Sequence, residues 1–354
     1  MAPTFSISVP IGAWHPLLRE CLQSLAIQTP RPNVALLDAS GDPRVKTDAG
    51  AFDDLIVYRR HGPDGGQSDA ILEGWANAPG DILGWLNADD ALYPGALARA
   101  AAKFDDDENL DVVYGHSVII DDDFAVVGYH WAVAPPSDLL LSGDIISQPS
   151  CFFRRSAYDK AGGLDADLHY TMDWDLWVRL WRDGAKFDFI NEVMSRVLWT
   201  KEAKTGGFGT GRRKELARII DQNASPVRRL KSKLGFALHH VFEYMMPPAL
   251  ARALRGRLSP SGAVINGLGR NGEIDNEATL PVVHYLPEPA RKLRLAFTEK
   301  ADISIAAAGG ALSASGAAEI VFGLPAAQAP GETLMLTIRN EGASPAIFTG
   351  LRFD

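Results

Sequence analysis

Cysteine is scarce: the 354-residue chain has two, Cys21 and Cys151, and neither belongs to a Cys-x-x-Cys pair or stands near a histidine at ligand spacing. That excludes a disulfide-stapled extracellular scaffold and a thiolate zinc site, and it fits a reducing compartment. Positive charge is in deficit too. With 35 Lys and Arg against 44 Asp and Glu, the formal net charge is -9. Coating nucleic acid needs a strong positive field, so no nucleic-acid partner is expected. No apolar run reaches the roughly 18 residues of a spanning helix, and the opening MAPTFSISVP lacks a basic segment ahead of an apolar core. The expectation is a cytoplasmic protein that does not span a membrane. The eight histidines show no ligand spacing, and neither a Walker-type phosphate loop nor a nucleophile elbow occurs. Disorder is excluded by composition, since 46% hydrophobic and 9% aromatic residues supply ample core.

What is present is an alternation of short apolar runs and helical patterns. FSISV is followed by Leu17, Leu18, Cys21, Leu22 and Leu25 at helical spacing, then by VALLD, LIVYR and ILGWL. This is the strand, helix, strand order of a parallel sheet. Ser68 is expected to cap the helix DAILEGWANA, and Pro94 to occupy the first turn of GALARAAAKF. VVYGHSVII and FAVVGYH read as a hairpin around an acidic turn, QPSCFFRR as a further strand, and MDWDLWVRLWRDG as a helix stopped at Gly184.

Composition shifts near Lys201. After the glycine-rich KEAKTGGFGTG comes a basic stretch, 212–258, with Arg212, Arg213, Lys214, Arg218, Arg228, Arg229, Lys231 and Lys233 interleaved with Leu230, Leu234 and Phe236. It reads either as a segment lying on an anionic membrane surface or as a helical linker docked on the first domain. From residue 259, LRLAF, ISIAAA, EIVFG, LMLTI and AIFTGLRF read as separate strands of an all-β sandwich, with Tyr285, Phe297 and Phe322 as aromatics able to stack on sugars. The expected division is therefore 1–205, 206–258 and 259–354.

In open α/β sheets ligands bind beyond the carboxyl ends of the strands, and Asp38, Asp89 and Asp90 all stand just past such ends. Taken alone, carboxylates in loops are as readily explained by Asx turns and helix caps. The ordered run PDGGQSDA, EGWANAPGDILGWLNADDALYPGAL and TMDWDLWVRL, however, closely resembles the family 2 glycosyltransferases over residues 5–205. The resemblance implies a GT-A type, Rossmann-like mixed α/β sheet and inverting transfer from a nucleoside-diphosphate sugar, a UDP-sugar by family frequency. The acceptor would be a glycan or lipid-linked glycan of a surface polysaccharide pathway.

Residue by residue, the resemblance puts Asp89 at the metal-binding carboxylate of an Asp-x-Asp motif, with Asn87 in place of the first Asp and Asp90 following. The ion would be Mn²⁺ or Mg²⁺. Asp173 matches the general base, with Met172 where relatives have Glu. Asp38 matches a nucleoside contact and Pro10 opens the loop after the first strand. Trp14 is the nearest aromatic to that Pro. Asp64, Gln67 and Asp69 fall at the donor pocket, although Ser68 and its neighbours are equally suited to capping. Lys204 would reach the diphosphate, with Thr200 where relatives carry His. Gln148 and Arg154 fall on the acceptor side, Arg154 also being readable as a salt-bridge residue. A non-catalytic nucleotide-sugar or glycan-binding protein is the alternative, and the C-terminal domain is a candidate for homo-oligomer assembly. The basic helices suggest a peripheral position at the inner face of the plasma membrane.

Overall fold

The computed structural model describes residues 3–120, 126–130, 132, 138–199, 210–240, 264–265, 268–269, 272–283, 289–307, 309–328 and 333–353. Two compact units result, one of Met1–Ser117 with Ala132–Met245, the other of Val118–Trp131 with Met246–Asp354.

In chain order the elements run β1 (Phe5–Ile11), α1 (Leu18–Ala26), β2 (Asn33–Asp38), α2 (Pro43–Ala49), β3 (Ile56–His61), α3 (Gln67–Asn77), β4 (Ile82–Trp85), β5 (Ala91–Leu92), α4 (Ala96–Asp106), β6 (Val112–Ile120), β7 (Val126–His130), β8 (Cys151–Arg154), α5 (Arg155–Lys160), α6 (Met172–Arg182), β9 (Phe187–Leu198), α7 (Thr210–Asn223) and α8 (Pro226–His240). The sheet order is β3-β2-β1-β4-β8-β6-β9-β5, with β7 paired to β6. β3, β2, β1 and β4 are parallel, whereas β8 runs antiparallel to β4 and β6. This is the mixed GT-A type sheet that the family resemblance implied, where the periodicity alone gave a parallel one.

Every residue of β1 is buried, because both faces of the parallel half are covered. Phe5, Ile7, Val9 and Ile11 pack with Leu18, Leu22 and Leu25 of α1 and Leu97 and Phe104 of α4. The alternate residues Ser6 and Ser8 face α3, where their hydroxyls donate to the carbonyls of Ala78 and Ile71, both at 3.0 Å. Gly74 lets this helix lie directly on the sheet: a Cβ there would stand 2.2 Å from Ser8 Oγ and 2.9 Å from Leu37 Cδ2. α3 begins after Gly66 at a φ of 125°, with no side-chain cap, so Ser68 is a first-turn residue turned inward rather than the expected cap. Likewise Pro94 precedes Gly95, itself at φ 74°, and lies ahead of α4 rather than in its first turn.

On the α3 and α6 side the core is aromatic. Trp75 meets Trp85, Phe153 and Tyr158 edge-on, and Trp85 stacks on Trp177 of α6 with centroids 5.9 Å apart. α6 ends as its sequence predicts, at Gly184 with φ 81°. Of the basic stretch, α7 is packed on this unit through buried Leu216, Ile219 and Ile220, and α8 through Phe236, edge-on to Trp174 at 5.1 Å. Residues 241–258 lie outside the described residues. No described helix is long and apolar enough to cross a membrane.

The second unit is antiparallel β: β10 (Val264–Ile265), β11 (Leu268–Gly269), β12 (Glu273–Ile274), β13 (Glu277–Val283), β14 (Ala290–Ala307), β15 (Gly310–Gln328), β16 (Thr333–Asn340) and β17 (Ala346–Phe353). LRLAF and ISIAAA, read as two strands, are one long strand, β14. Its register shifts between Ala296 and Ala301, and it pairs with β17 before the shift and with β16 after it, while β15 follows along the other edge. Phe297 and Phe322 are core residues at 5% and 3% exposure, so neither is presented for stacking on a sugar. Tyr285 lies outside the described residues.

The close seat of α3 gives a stability prediction. Gly74→Ala should lower the unfolding free energy by about 1–3 kcal/mol in urea denaturation, through overpacking. Adding Ser8→Ala, which deletes the hydroxyl nearest the new methyl group, should recover part of that loss.

Candidate active site

The crevice opens where β4 stops. Leu86 N donates to Ser8 O and Ala39 N to Ile11 O, so even-numbered residues of β1 turn their backbone toward β4 and odd ones toward β2. Pairing with β4 ends at Ser8, which leaves Pro10 facing the gap, where its missing N–H costs no ladder bond. Asp38 ends β2 beside Ile11 and His61 in register. Its Oδ1 accepts from Ser40 N at 2.9 Å and from Ser40 Oγ at 2.6 Å, and its Oδ2 lies 2.9 Å from His61 Nδ1. Burial alone would raise its pKa, but the bonds from Ser40 and His61 outweigh burial and hold the carboxyl below its ordinary range. Trp14 beside this loop is engaged, its Nε1 donating to Asp48 at 2.8 Å and its ring lying under the Arg44 guanidinium.

β4 leads into a tight turn in which Asp90 N donates to Asn87 O. The two neighbouring carboxylates then divide. Asp90 is turned inward at 3% exposure, accepting from Asn87 Nδ2 at 3.1 Å and from Leu198 N at 3.2 Å. Burial, and next the Asp89 charge, push its pKa well above the carboxylate range. Asp89 is half-buried, and among the described residues no hydrogen bond or ion pair reaches its carboxylate. The fold uses one of the two in its own hydrogen bonds and does not use the other among the described residues.

The N-terminus of α3 joins this turn to α6. Gln67 Nε2 donates to Asn87 Oδ1 at 2.8 Å, and the next residue, Ser68, donates to Met172 Sδ at 2.9 Å. Met172 begins α6 and Asp173 follows it. Asp173 Oδ1 accepts from Trp174 N at 2.8 Å. Burial first, and then the Asp144 carboxylate, push Asp173 up to about 7, against the pull of the Trp174 amide and the Arg212 guanidinium. A carboxyl poised near neutrality can take a proton from a hydroxyl. Asp175, one turn face away, is buried and paired with Arg179 at 2.7 Å.

Gln148 is held at the same end of the sheet, its Nε2 donating to Trp85 O at 2.7 Å. Beneath it lies an uncharged knot in which Ser117 Oγ is 2.5 Å from Ser147 Oγ and 2.7 Å from those of Ser150 and Ser195. Arg154 is the correction. Because β8 is antiparallel to β4, Arg154 pairs with Ile82 at the start of β4, at the opposite end of the sheet, where it donates to Leu110 O and Phe104 O. Its place on the acceptor side is not kept. Asp64 pairs with Arg60 at 2.7 Å and caps Gly66 N, and Asp69 accepts from Gly65 N, so both shape the loop ahead of α3. Lys204, like Thr200, lies outside the described residues. Asp144, His61 and Ser40 are the site's unannounced members. Asp144 carries no sequence signal, whereas His61 could be found by pairing β3 with β2 in register.

The raised Asp173 pKa sets a sign for stability. Its folded value of about 7 exceeds the unfolded value of about 3.9, so its contribution is full below about pH 4 and is lost as pH rises through about 7. Asp173→Asn removes that loss. In urea denaturation the variant should gain on the wild type, by on the order of 2 kcal/mol, between about pH 5 and about pH 8.

Residues 7–162 match the family described as Glycosyl transferase family 2. Over 260 residues the chain is 28% identical to the PGL/p-HBAD biosynthesis glycosyltransferase of Mycobacterium tuberculosis, covering 72% of this chain and 94% of that one. It is 29% identical over 198 residues to the O-antigen biosynthesis protein RfbC of Myxococcus xanthus, covering 54% of this chain and 16% of that one. Among solved structures, S. aureus TarS 1-349 in complex with UDP-GlcNAc shares the fold with a TM-score of 0.50 at 15% identity, over 73% of this chain and 76% of that one. With its motifs in family order on a mixed sheet of the GT-A type, residues 7–162 match glycosyl transferase family 2, and the chain is a glycosyltransferase.

Proposed function

We propose that the chain moves a sugar from a nucleoside-diphosphate donor, a UDP-sugar in preference, to a glycan or lipid-linked glycan, with inversion at the anomeric carbon. The observation that carries this reading is the tie through Gln67 and Ser68 between the turn of Asp89, a carboxylate with no protein partner among the described residues, and the helix of Asp173, poised near neutrality. The complex of TarS with UDP-GlcNAc supports a uridine donor, and relatives named for PGL/p-HBAD and O-antigen biosynthesis support a glycan or glycolipid product.

Asp89 fits a hard divalent cation: it offers oxygen ligands, is half-exposed, and is not consumed by the fold as Asp90 is. One carboxylate completed by donor phosphates and water suits Mg²⁺ or Mn²⁺. Such a cation, when bound, neutralises charge on the departing diphosphate. The chain's own residues do the rest. Asp173 takes the proton of the acceptor hydroxyl, whose oxygen bonds to the anomeric carbon as the bond from that carbon to the diphosphate breaks on the opposite face. Asp38 holds the nucleoside, its Oδ2 keeping a lone pair beyond the His61 contact. Pro10, Asp64, Gln67, Asp69 and Asn87 border the donor, and Gln148 the acceptor. Asp90 supports the turn from below. Residues 1–205 carry the chemistry, 206–258 form a basic helical linker or membrane-surface segment, and 259–354 serve assembly of copies.

Calorimetric titration with nucleoside diphosphates, with and without Mn²⁺, tests the donor side. Wild type should bind one nucleotide in a metal-dependent way, and Asp89→Ala should lose about tenfold or more of that affinity. Asp173→Asn should bind the nucleotide as wild type does while kcat falls by about 10²–10⁴-fold. The wild-type kcat/KM should rise with pH through about 7 and then level off. Metal-independent binding, or an Asp173→Asn enzyme of undiminished rate, would overturn these assignments.

A further inference from the structure

α8 is docked by one face and offers another. Inward are Ser232, fully buried, Gly235, whose added Cβ would lie 3.3 Å from Ser142, and Phe236 against Trp174. At about 100° per residue, Val227, Leu230 and Leu234 share a stripe roughly 60° wide on the opposite side. They are 71%, 74% and 56% exposed, which makes them the most exposed large apolar side chains among the described residues. Lys231 borders the stripe on one side and Lys233 on the other, with Arg229 further round toward Phe236. Asp221 of α7 partners Lys233 at 2.8 Å and Arg229 at 4.0 Å, while Lys231 is exposed. No acid occurs in α8, and the sequence that follows, 241–258, adds Arg252, Arg255 and Arg257 against the lone Glu243.

An aliphatic stripe between basic rows is complementary to an anionic lipid surface, where the leucines enter the acyl boundary and the cations meet phosphates. A stable protein partner would bury about 20–30 residues a side, far more than three aliphatic side chains, and would have to supply acids on both flanks. We propose that this outward face of α8 docks the protein on an anionic bilayer. The inference rests on α8 alone and not on the donor reading. The opposite face of α8 meets the helix that carries the proposed base, Phe236 touching Trp174, the residue after Asp173. The sequence grouped Phe236 with the membrane-facing residues. The structure turns it inward and puts Val227 in its place.

The test is co-sedimentation of the full chain with vesicles of phosphatidylcholine alone and of phosphatidylcholine mixed with phosphatidylglycerol. Wild type should sediment only with the anionic vesicles and be released by added salt. The double variant Leu230→Gln/Leu234→Gln should partition about tenfold or more weakly, and so should Lys231→Glu. All three positions are exposed, and unchanged nucleotide binding by both variants would establish that they are folded. Absence of binding to anionic vesicles would overturn the proposal, as would equal binding by the double variant. A wild-type dimer that the double variant converts to a monomer would also overturn it, since a second copy would then cover the stripe.

Discussion

The crevice depends on how closely α3 lies against β1 and β2. An apolar β1 face would hold a helix at the usual side-chain distance. Here Ser6 and Ser8 replace bulk with hydroxyls that bond the helix's own carbonyls, and the helix meets Ser8 and Leu37 with a glycine. Buried hydroxyls are tolerated because each is satisfied. The seat of the helix in turn fixes two contacts at its first turn, Gln67 to Asn87 and Ser68 to Met172. One packing distance therefore sets the spacing of both walls, and the chemistry at the rim is a consequence of small side chains deep in the sheet.

The same rim distributes charge by environment. Asp38 is kept ionised by donors that outweigh its burial, Asp90 is raised by burial and by the charge beside it, and Asp173 is raised to the neutral range by burial and Asp144. Three carboxyl groups of one chemical type thus enter neutral solution with three different proton affinities. Separating pKa values by surroundings is how one residue type can hold, brace and accept protons within a single site.

Much of this was legible in the chain. Apolar runs marked the strands, and the rule that ligands gather past strand ends pointed at Asp38, Asp89 and Asp90, whereas Asp173 needed the motif around it. Legibility failed where pairing partners decide. Arg154 is one residue past an apolar run like the aspartates, but β8 runs antiparallel to β4 and so delivers it to the far end. Asp144 sits in a polar loop with nothing periodic about it, and Ser68 obeys a cap rule that Gly66 pre-empts with its positive φ. In the second unit a strand of ordinary length is about 5–6 residues, so the long, register-shifted β14 reads as two.

The serine knot under Gln148 has its own bearing on the working enzyme. Ser117, Ser147, Ser150 and Ser195 bring β6, β9 and the segment between Asp144 and β8 to one point without a single ionisable group. Hydroxyls can reverse the direction of a donor chain by rotation and hold no charge for salt to screen. The knot itself is thereby insulated from titration: a proton gained or lost by Asp173 is felt by the Asp144 carboxylate at the start of that segment, and not by the four hydroxyls that anchor it.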